Sequence, residues 1–387
     1  MQGGARAIPL GGGFNPLSQA PARTKPPDTW LVAVVGTLVG LGLVMVFSAS
    51  SATAAALHHD IAYFLKRQAL WLALALVCAL GTYKLDYRVL RKLAPAILVV
   101  ALLALVAVLI PHVGLLSGGA RRWLGAGPIS FQPSEFAKLA MVIYLAAAIT
   151  RHHDRIRSLT RGLWPLFMVT FAVAGLILIE PDMGTASLVV FTTFAMLFVA
   201  GARIPHLLAV VLVTAPPIAY SILASPYKRA RIFAFVDPWR DAQNTGFHIV
   251  QSLLALGSGG IFGLGLGLSR QKFFYLPEQY TDFIFAIVGE ELGLIGALFV
   301  IALFLFFAYR ATKIALAAPD EFGFFLVVGC TALIVLQAFV NIGVTTSSWP
   351  VTGVPLPFIS FGGSSLIVSL VAVALILNVG RYSRRAP

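Results

Sequence analysis

Ten apolar stretches, most of them close to the length that crosses a bilayer, leave this chain few folds to choose from. They run near Trp30–Ser50, Gln68–Thr82, Leu93–Pro111, Ser134–Thr150, Trp164–Ile179, Thr185–Gly201, Pro205–Ile222, Phe283–Tyr309, Phe322–Gly343 and Ile359–Gly380. A spanning helix needs about 20 predominantly apolar residues. Lipid offers no hydrogen bonds, so each crossing must satisfy its own backbone. The expected fold is all-α and integral to a membrane, with ten transmembrane helices. Composition agrees, because only 11% of the 387 residues are charged, against about 25% in soluble proteins. The fifth and sixth stretches divide at Glu180-Pro-Asp-Met-Gly184, since proline and two carboxylates end a lipid-facing helix.

The net charge of +13 does not point to nucleic acid. Its basic residues sit in short clusters between apolar stretches rather than on one domain. One set of connections, at Lys84–Lys92, Arg151–Arg161, Arg203 and Arg310–Lys313, together with both tails, carries most of them. The opposite short loops carry only Lys66, Arg67, Arg121 and Arg122. Cytoplasmic loops are enriched in Lys and Arg, so both termini are expected in the cytoplasm. Residues 1–29, rich in Gly and Pro, read as a disordered cytoplasmic tail. Residues 30–381 read as the membrane domain and 382–387 as a short cytoplasmic tail. Cys78 and Cys330 fall inside apolar spans, which leaves neither a disulfide framework nor a metal cluster.

One connection breaks the pattern. Residues 224–282, between the seventh and eighth spans, form a long extracytoplasmic loop, and loops of that length are usually functional or disordered. This one has the composition of structure. Ser225–Val236 mixes basic and aromatic residues as an interfacial helix does, and Gly246–Leu256 is amphipathic. Gly257-Ser-Gly-Gly-Ile-Phe-Gly-Leu-Gly-Leu-Gly267 is a stretch whose backbone can approach a ligand closely.

Ionisable residues inside a membrane are costly and rare, so each raises a question of function. Glu135 and Lys138 share one face at the start of the fourth span, as a structural ion pair, a cavity wall, or both. Glu180 and Asp182 form either a helix-end turn or a pair able to hold Mg2+ or Mn2+ beside a phosphate. Arg121 and Arg122 lie in an outer loop, as interfacial anchors or as a site for an anionic headgroup. Asp282, before a dense apolar run, reads either as the N-cap of the eighth span or as a desolvated general base. Glu290 lies about 12 Å further along that helix, too deep to share its proton. The last polar cluster runs from Asn341-Ile-Gly-Val-Thr-Thr346 through Pro350 to Ser365, and its prolines and glycines imply an irregular re-entrant segment, tolerated only where it is buried or lines a wet cavity.

Five motifs in order resemble the SEDS family of shape, elongation, division and sporulation proteins. They are Gln132-Pro-Ser-Glu-Phe-Ala-Lys138, Glu180-Pro-Asp-Met-Gly-Thr185, Gly257-Ser-Gly-Gly260, Tyr275-Leu-Pro-Glu278 with Thr281-Asp-Phe-Ile-Phe285, and Pro355-Leu-Pro-Phe-Ile-Ser-Phe-Gly-Gly363. The resemblance runs from about Trp30 to Arg381. Asp237-Pro-Trp239, Ser269-Arg-Gln-Lys272 and Val288-Gly-Glu-Glu-Leu-Gly293 are similar to the FtsW-like division branch rather than the RodA-like elongation branch, with the sporulation paralogue close by. The chain departs from the family pattern at Gln279-Tyr280.

The resemblance implies a peptidoglycan glycosyltransferase in a bacterial cytoplasmic membrane, placed at the division septum. Its substrates would be lipid II and an undecaprenyl-diphosphate-linked glycan. Its partners would be a class B penicillin-binding protein, other division proteins and membrane lipid, and no organic cofactor is expected. Asp282 would be the catalytic base. Arg121, Arg122 and Lys272 would hold diphosphate, and Glu135, Lys138, Glu278 and Ser364 would line the substrate cavity. A lipid II flippase, a RodA-like elongation polymerase for cell shape and a non-catalytic scaffold are the rival readings.

Overall fold

The structure, a computed structural model, describes residues 25–117, 120–126, 129–273 and 276–383. It is predominantly helical. The helices are α1 (Thr29–His58), α2 (Tyr63–Lys84), α3 (Tyr87–Leu109), α4 (Pro133–Arg151), α5 (Trp164–Ile179), α6 (Met183–Val199), α7 (Ile204–Ala224), α8 (Pro226–Val236), α9 (Phe247–Gly259), α10 (Ile284–Leu316), α11 (Glu321–Thr345) and α12 (Gly363–Arg381). Among the described residues, eight helices are long and apolar enough to cross a membrane: α1 to α5, with α5 extended back to Leu159, and α10 to α12. Helices α12, α4 and α11 are the most enclosed, with 78, 72 and 61% of their apolar windows buried, against 22% for α2. These three therefore form the centre, and α2 turns most of its surface toward lipid.

One expectation is corrected here, because the fold is not all-α. Strands β1 (Gly114–Ser117), β2 (Ala120–Ala126) and β3 (Ile129–Phe131) form an antiparallel sheet between α3 and α4. Its register pairs Leu115 with Trp123 and Leu124 with Phe131. A connection laid across the end of an apolar bundle must satisfy its own backbone groups, and strand pairing does so here. The outer strands are only three and four residues long and Ala120–Ala126 does not alternate apolar with polar, so periodicity does not reveal the sheet in sequence.

The expected N-terminal boundary also moves. Residues 1–24 and 384–387 lie outside the described residues, but the backbone N–H of Lys25 donates to the carbonyl of Arg381 at 3.0 Å. Asp28 caps α1 by accepting from the N–H of Leu31 at 2.8 Å and pairs with Arg310. Tyr87 and Arg88 both reach Asp320. The termini, the α2–α3 turn and the α10–α11 turn therefore share one end of the bundle. Asn378 of α12 fastens that end, donating to the carbonyl of Tyr83 at 2.7 Å and accepting from the N–H of Tyr87 at 3.3 Å.

At the opposite end, the glycine-rich stretch approaches the backbone of α10 closely. Leu264 and Gly265 donate backbone bonds to Glu290 and Glu291, and Leu294 and Ile295 return them to Gly260 and Ile261. This pairing is possible because α10 breaks at Gly293, whose φ of 69° suits only glycine. A Cβ on Gly263 would lie 2.2 Å from the Glu291 carbonyl oxygen.

Replacing Asn378 with Leu strands the Tyr87 N–H and the carbonyls it serves. The expected cost is ~2 kcal/mol, read as a lower thermal midpoint of the detergent-solubilised protein. An unchanged midpoint would show that water replaces these bonds freely.

Candidate active site

The segment Leu276–Phe283 runs along the end of the bundle opposite the termini and leads into α10. Glu278 adopts a left-handed backbone with φ 52°, and its carbonyl accepts from the N–H groups of Thr281 and Phe283 at 3.2 Å each. The departure at Gln279-Tyr280 has local work to do. Gln279 donates through Nε2 to the carbonyls of Ala49 on α1 and Lys272, at 3.1 and 3.0 Å. Tyr280 packs between Phe64 and Phe361. Tyr275 lies outside the described residues.

Asp282 does not cap α10. The cap position belongs to Phe283, and no side-chain cap bond is made there. The half-buried carboxylate instead faces a cavity of about 350 Å³, whose walls include Arg231 of α8, His248 of α9, Glu278, Val351 and Gly353. A Cβ on Gly353 would come within 3.4 Å of Asp282 Oδ2. Burial pushes the Asp282 carboxyl up to about 7, and the carboxylates of Glu278 and Asp182 push the same way while Arg122 and Arg231 oppose them. A group with that pKa exchanges a proton readily near neutral pH.

The other candidates are not brought together around Asp282. Lys138 and Glu135 pair at 2.8 Å, both fully buried, and Lys138 Nζ also donates to Gln337 Oε1 at 2.8 Å. The expectation that this pair lines the substrate cavity is not met at Asp282: the pair lies inside the bundle and is not among the residues around that cavity. Ser364 is buried and accepts from the N–H of Gln132 at 3.0 Å, joining α12 to α4. Lys272 is turned inward and is no exposed phosphate ligand. Its Nζ donates to the Gly267 carbonyl at 2.5 Å and lies 3.9 Å from Glu291. The reason is charge, since Glu290 and Glu291 are each 1% exposed and require a counter-ion. Glu290 accepts from Ser269, and Glu291 accepts from Ser48 at 2.6 Å.

Arg121 stands half-buried on β2. Arg122 binds backbone, donating Nε to the Glu180 carbonyl at 2.9 Å and a terminal nitrogen to that of Pro181 at 2.5 Å. It thereby closes the C-terminus of α5. Asp182 is committed as the cap of α6, accepting from the N–H of Thr185 at 3.0 Å and from Gln132 at 3.2 Å. Both carboxylate oxygens of Glu180 are buried without a partner. Burial first, and the charge of Asp182 second, push Glu180 up to about 8 against the pull of Arg122. Among the described residues, no group of three His, Cys, Asp or Glu side chains is placed to hold a metal ion.

Sequence reasoning missed Arg231 and His248 as cavity walls. A signal existed for Arg231, a cation in an outer loop where the charge rule disfavours one. His248 stands in an otherwise apolar run and gave none.

A helical membrane bundle with a raised carboxylate in a cavity at one end defines the broad class. Residues 29–385 match the model of the FtsW, RodA and SpoVE family, described as cell cycle proteins. Stage V sporulation protein E of Bacillus subtilis is 45% identical over 358 residues, covering 92% of this chain and 98% of its own. A probable peptidoglycan glycosyltransferase FtsW of Trichlorobacter lovleyi is 44% identical over 371 residues, 96% of this chain and 97% of its own. Among solved structures, a chain from a peptidoglycan synthase complex that coordinates polymerization and crosslinking superposes with a TM-score of 0.76 at 32% identity. It covers 92% of this chain and 98% of that one. Rod shape determining protein RodA of Thermus thermophilus gives 0.67 at 31%, over 93 and 98%. The chain belongs to the FtsW/RodA/SpoVE family of membrane-embedded cell cycle proteins.

A carboxyl whose folded pKa lies above its unfolded value stabilises the fold below the unfolded pKa and loses that contribution as pH rises through the folded one. For Asp282 the window runs from its ordinary value of 3.8 to about 7. Between pH 5 and 8 the thermal midpoint of Asp282→Asn is therefore expected to fall less than that of the parent. Parallel curves would mean that the carboxyl is solvated.

Proposed function

We propose that this chain is a peptidoglycan glycosyltransferase that polymerises lipid II at the outer face of the cytoplasmic membrane. The carrying observation is Asp282, raised to about 7 on a cavity wall and relieved of any capping task. The FtsW relatives, named as probable peptidoglycan glycosyltransferases, support the same reading. In this scheme Asp282 takes the proton from the 4-hydroxyl of the acceptor's N-acetylglucosamine. That oxygen bonds to the anomeric carbon of the donor strand. The bond from that carbon to the undecaprenyl diphosphate breaks, and the lipid diphosphate leaves with inversion. Arg231 is better placed than Lys272 to meet an anionic group at the cavity.

The wider picture follows from this reading. Helices α6 and α7 complete ten crossings, with residues 224–282 as the outer loop, and the end carrying Lys25, Arg310 and Arg381 faces the cytoplasm by the charge rule. The likeness to a polymerising and crosslinking complex supports a class B penicillin-binding protein as partner. Identities of 44% to FtsW and 45% to the sporulation protein, against 31% to RodA, favour the division and sporulation branch over elongation, and within it we infer division at the septum. Glu180, with both oxygens unpartnered, has capacity for Mg2+ or Mn2+ beside a substrate phosphate, and no step above depends on it.

The test uses the full-length chain in detergent, assembled with its penicillin-binding protein and given lipid II. Asp282→Asn is expected to lower polymerisation by about 10²–10⁴-fold. Near-normal rate and polymer length would sink the reading. A flippase without polymerase activity would yield no polymer from the parent, since detergent leaves no leaflet to cross.

The rate should also rise with pH through about 7, because the ionised carboxylate is the active form. Glu278→Gln removes a neighbouring negative charge, so its midpoint should lie lower than the parent's.

A further inference from the structure

The turn that carries Asp282 is held by its carbonyls. Tyr280 O accepts from the N–H of Phe361 at 2.9 Å, and Thr281 O accepts from Ser360 Oγ at 2.5 Å. Asp282 O accepts from Nδ2 of Asn341 at 2.7 Å. The second hydrogen of the same amide goes to Val354 O, also at 2.7 Å. Asn341 is 1% exposed in the middle of the bundle, on α11. One rigid side chain thus ties the peptide of Asp282 to the irregular segment that forms the facing wall, where Gly353 lies against the carboxylate.

Asn341 is itself backed from below. Gln337, one helical turn earlier, donates to Pro355 O at 2.9 Å and accepts from Lys138, whose partner is Glu135. The two amides sit at i and i+4, so they face the same way along α11. The buried ion pair thereby fixes Gln337, and α11 presents a two-rung clamp to the 354–355 backbone.

We infer that Asn341 is a positioning residue for the catalytic carboxylate: its amide holds the Asp282 and Val354 peptides in one register and so sets where the carboxylate stands in the cavity. This rests on the proposed role of Asp282 as the base. Reaction geometry is unforgiving, and a misplacement of about 1 Å costs on the order of 10²-fold in rate. The charged and titratable groups facing Asp282 are Glu278 on its own turn, Asp182 between α5 and α6, Arg122 on β2, Arg231 on α8 and His248 on α9. None of them touches Asn341 by a hydrogen bond, so its loss acts on position and solvation.

The experiment measures lipid II polymerisation by the full-length chain assembled with its penicillin-binding protein, at several pH values. Asn341→Ala is expected to lower kcat by about 10- to 100-fold with KM within about three-fold. The midpoint of its pH–rate curve should move down, because a loosened carboxylate gains water. If the alanine variant does not assemble, Asn341→Leu, which keeps the bulk, lacks the amide donors and adds no charge, is expected to show the same split. Parental kcat and an unmoved pH midpoint in the variant that assembles would overturn the inference. So would a kcat loss that only tracks the loss of assembled protein with the midpoint in place. Asp282→Asn, run alongside, separates the two levels: an active Asp282→Asn defeats the proposed function, whereas an inactive one beside a parental Asn341→Ala defeats only the positioning role.

Discussion

The site depends on how an irregular backbone is satisfied at membrane depth. Residues 350–362 carry prolines at 350, 355 and 357, so the segment is short of N–H donors and rich in carbonyls. Lipid supplies no donor, and an unsatisfied buried carbonyl is costly. The donors come from side chains on regular helices. Asn341 and Gln337 reach in from α11, and Gln68 of α2 donates to Ser360 O at 3.2 Å. The polar residues that looked like cavity walls in the sequence are therefore largely the scaffold of that wall. Their carbonyl partners include the peptide of Asp282, so the segment and the carboxylate are placed together.

A second buried network steadies the other side of the same turn. Glu290 and Glu291 stand side by side at the break in α10, where a helical carboxylate would otherwise meet lipid. Ser48, Ser269 and the N–H of Arg270 satisfy their oxygens, and Lys272 brings the positive charge. Removing one member of such a cluster leaves a buried charge exposed to its own desolvation cost. The glycine-rich stretch completes the arrangement by pairing backbone to backbone with α10. Glycine is required at positions 263 and 293 because the two segments approach too closely for a Cβ.

Glu180 and Asp282 show how environment sorts like groups into unlike roles. Asp182 accepts two hydrogen bonds and serves as a helix cap, while Glu180 and Asp282 are left with burial and neighbouring negative charge. All three are carboxylates in loops or turns at the same end of the bundle. Only Asp282 combines a raised pKa with a place on the cavity wall.

The sequence by itself determined that the chain is a helical membrane protein and which of its ends carries the basic loops, and it singled out Asp282 as a helix cap or a base. Those properties follow from local quantities: runs of apolar residues, counts of Lys and Arg, and a motif of contiguous residues. It also marked Glu135, Lys138 and Asn341 as polar residues at depth. Only the tertiary structure decided what they do, because a hydrogen bond between residues 341 and 282 leaves no periodic trace. It turned Lys272 inward, gave Arg122 to a helix end, added a sheet too short to read, and put Arg231 and His248 on the cavity wall. The tertiary structure also removed the cap reading at Asp282. The helix begins one residue late for Asp282 to cap it, and desolvation by segments far away in the chain raises its pKa.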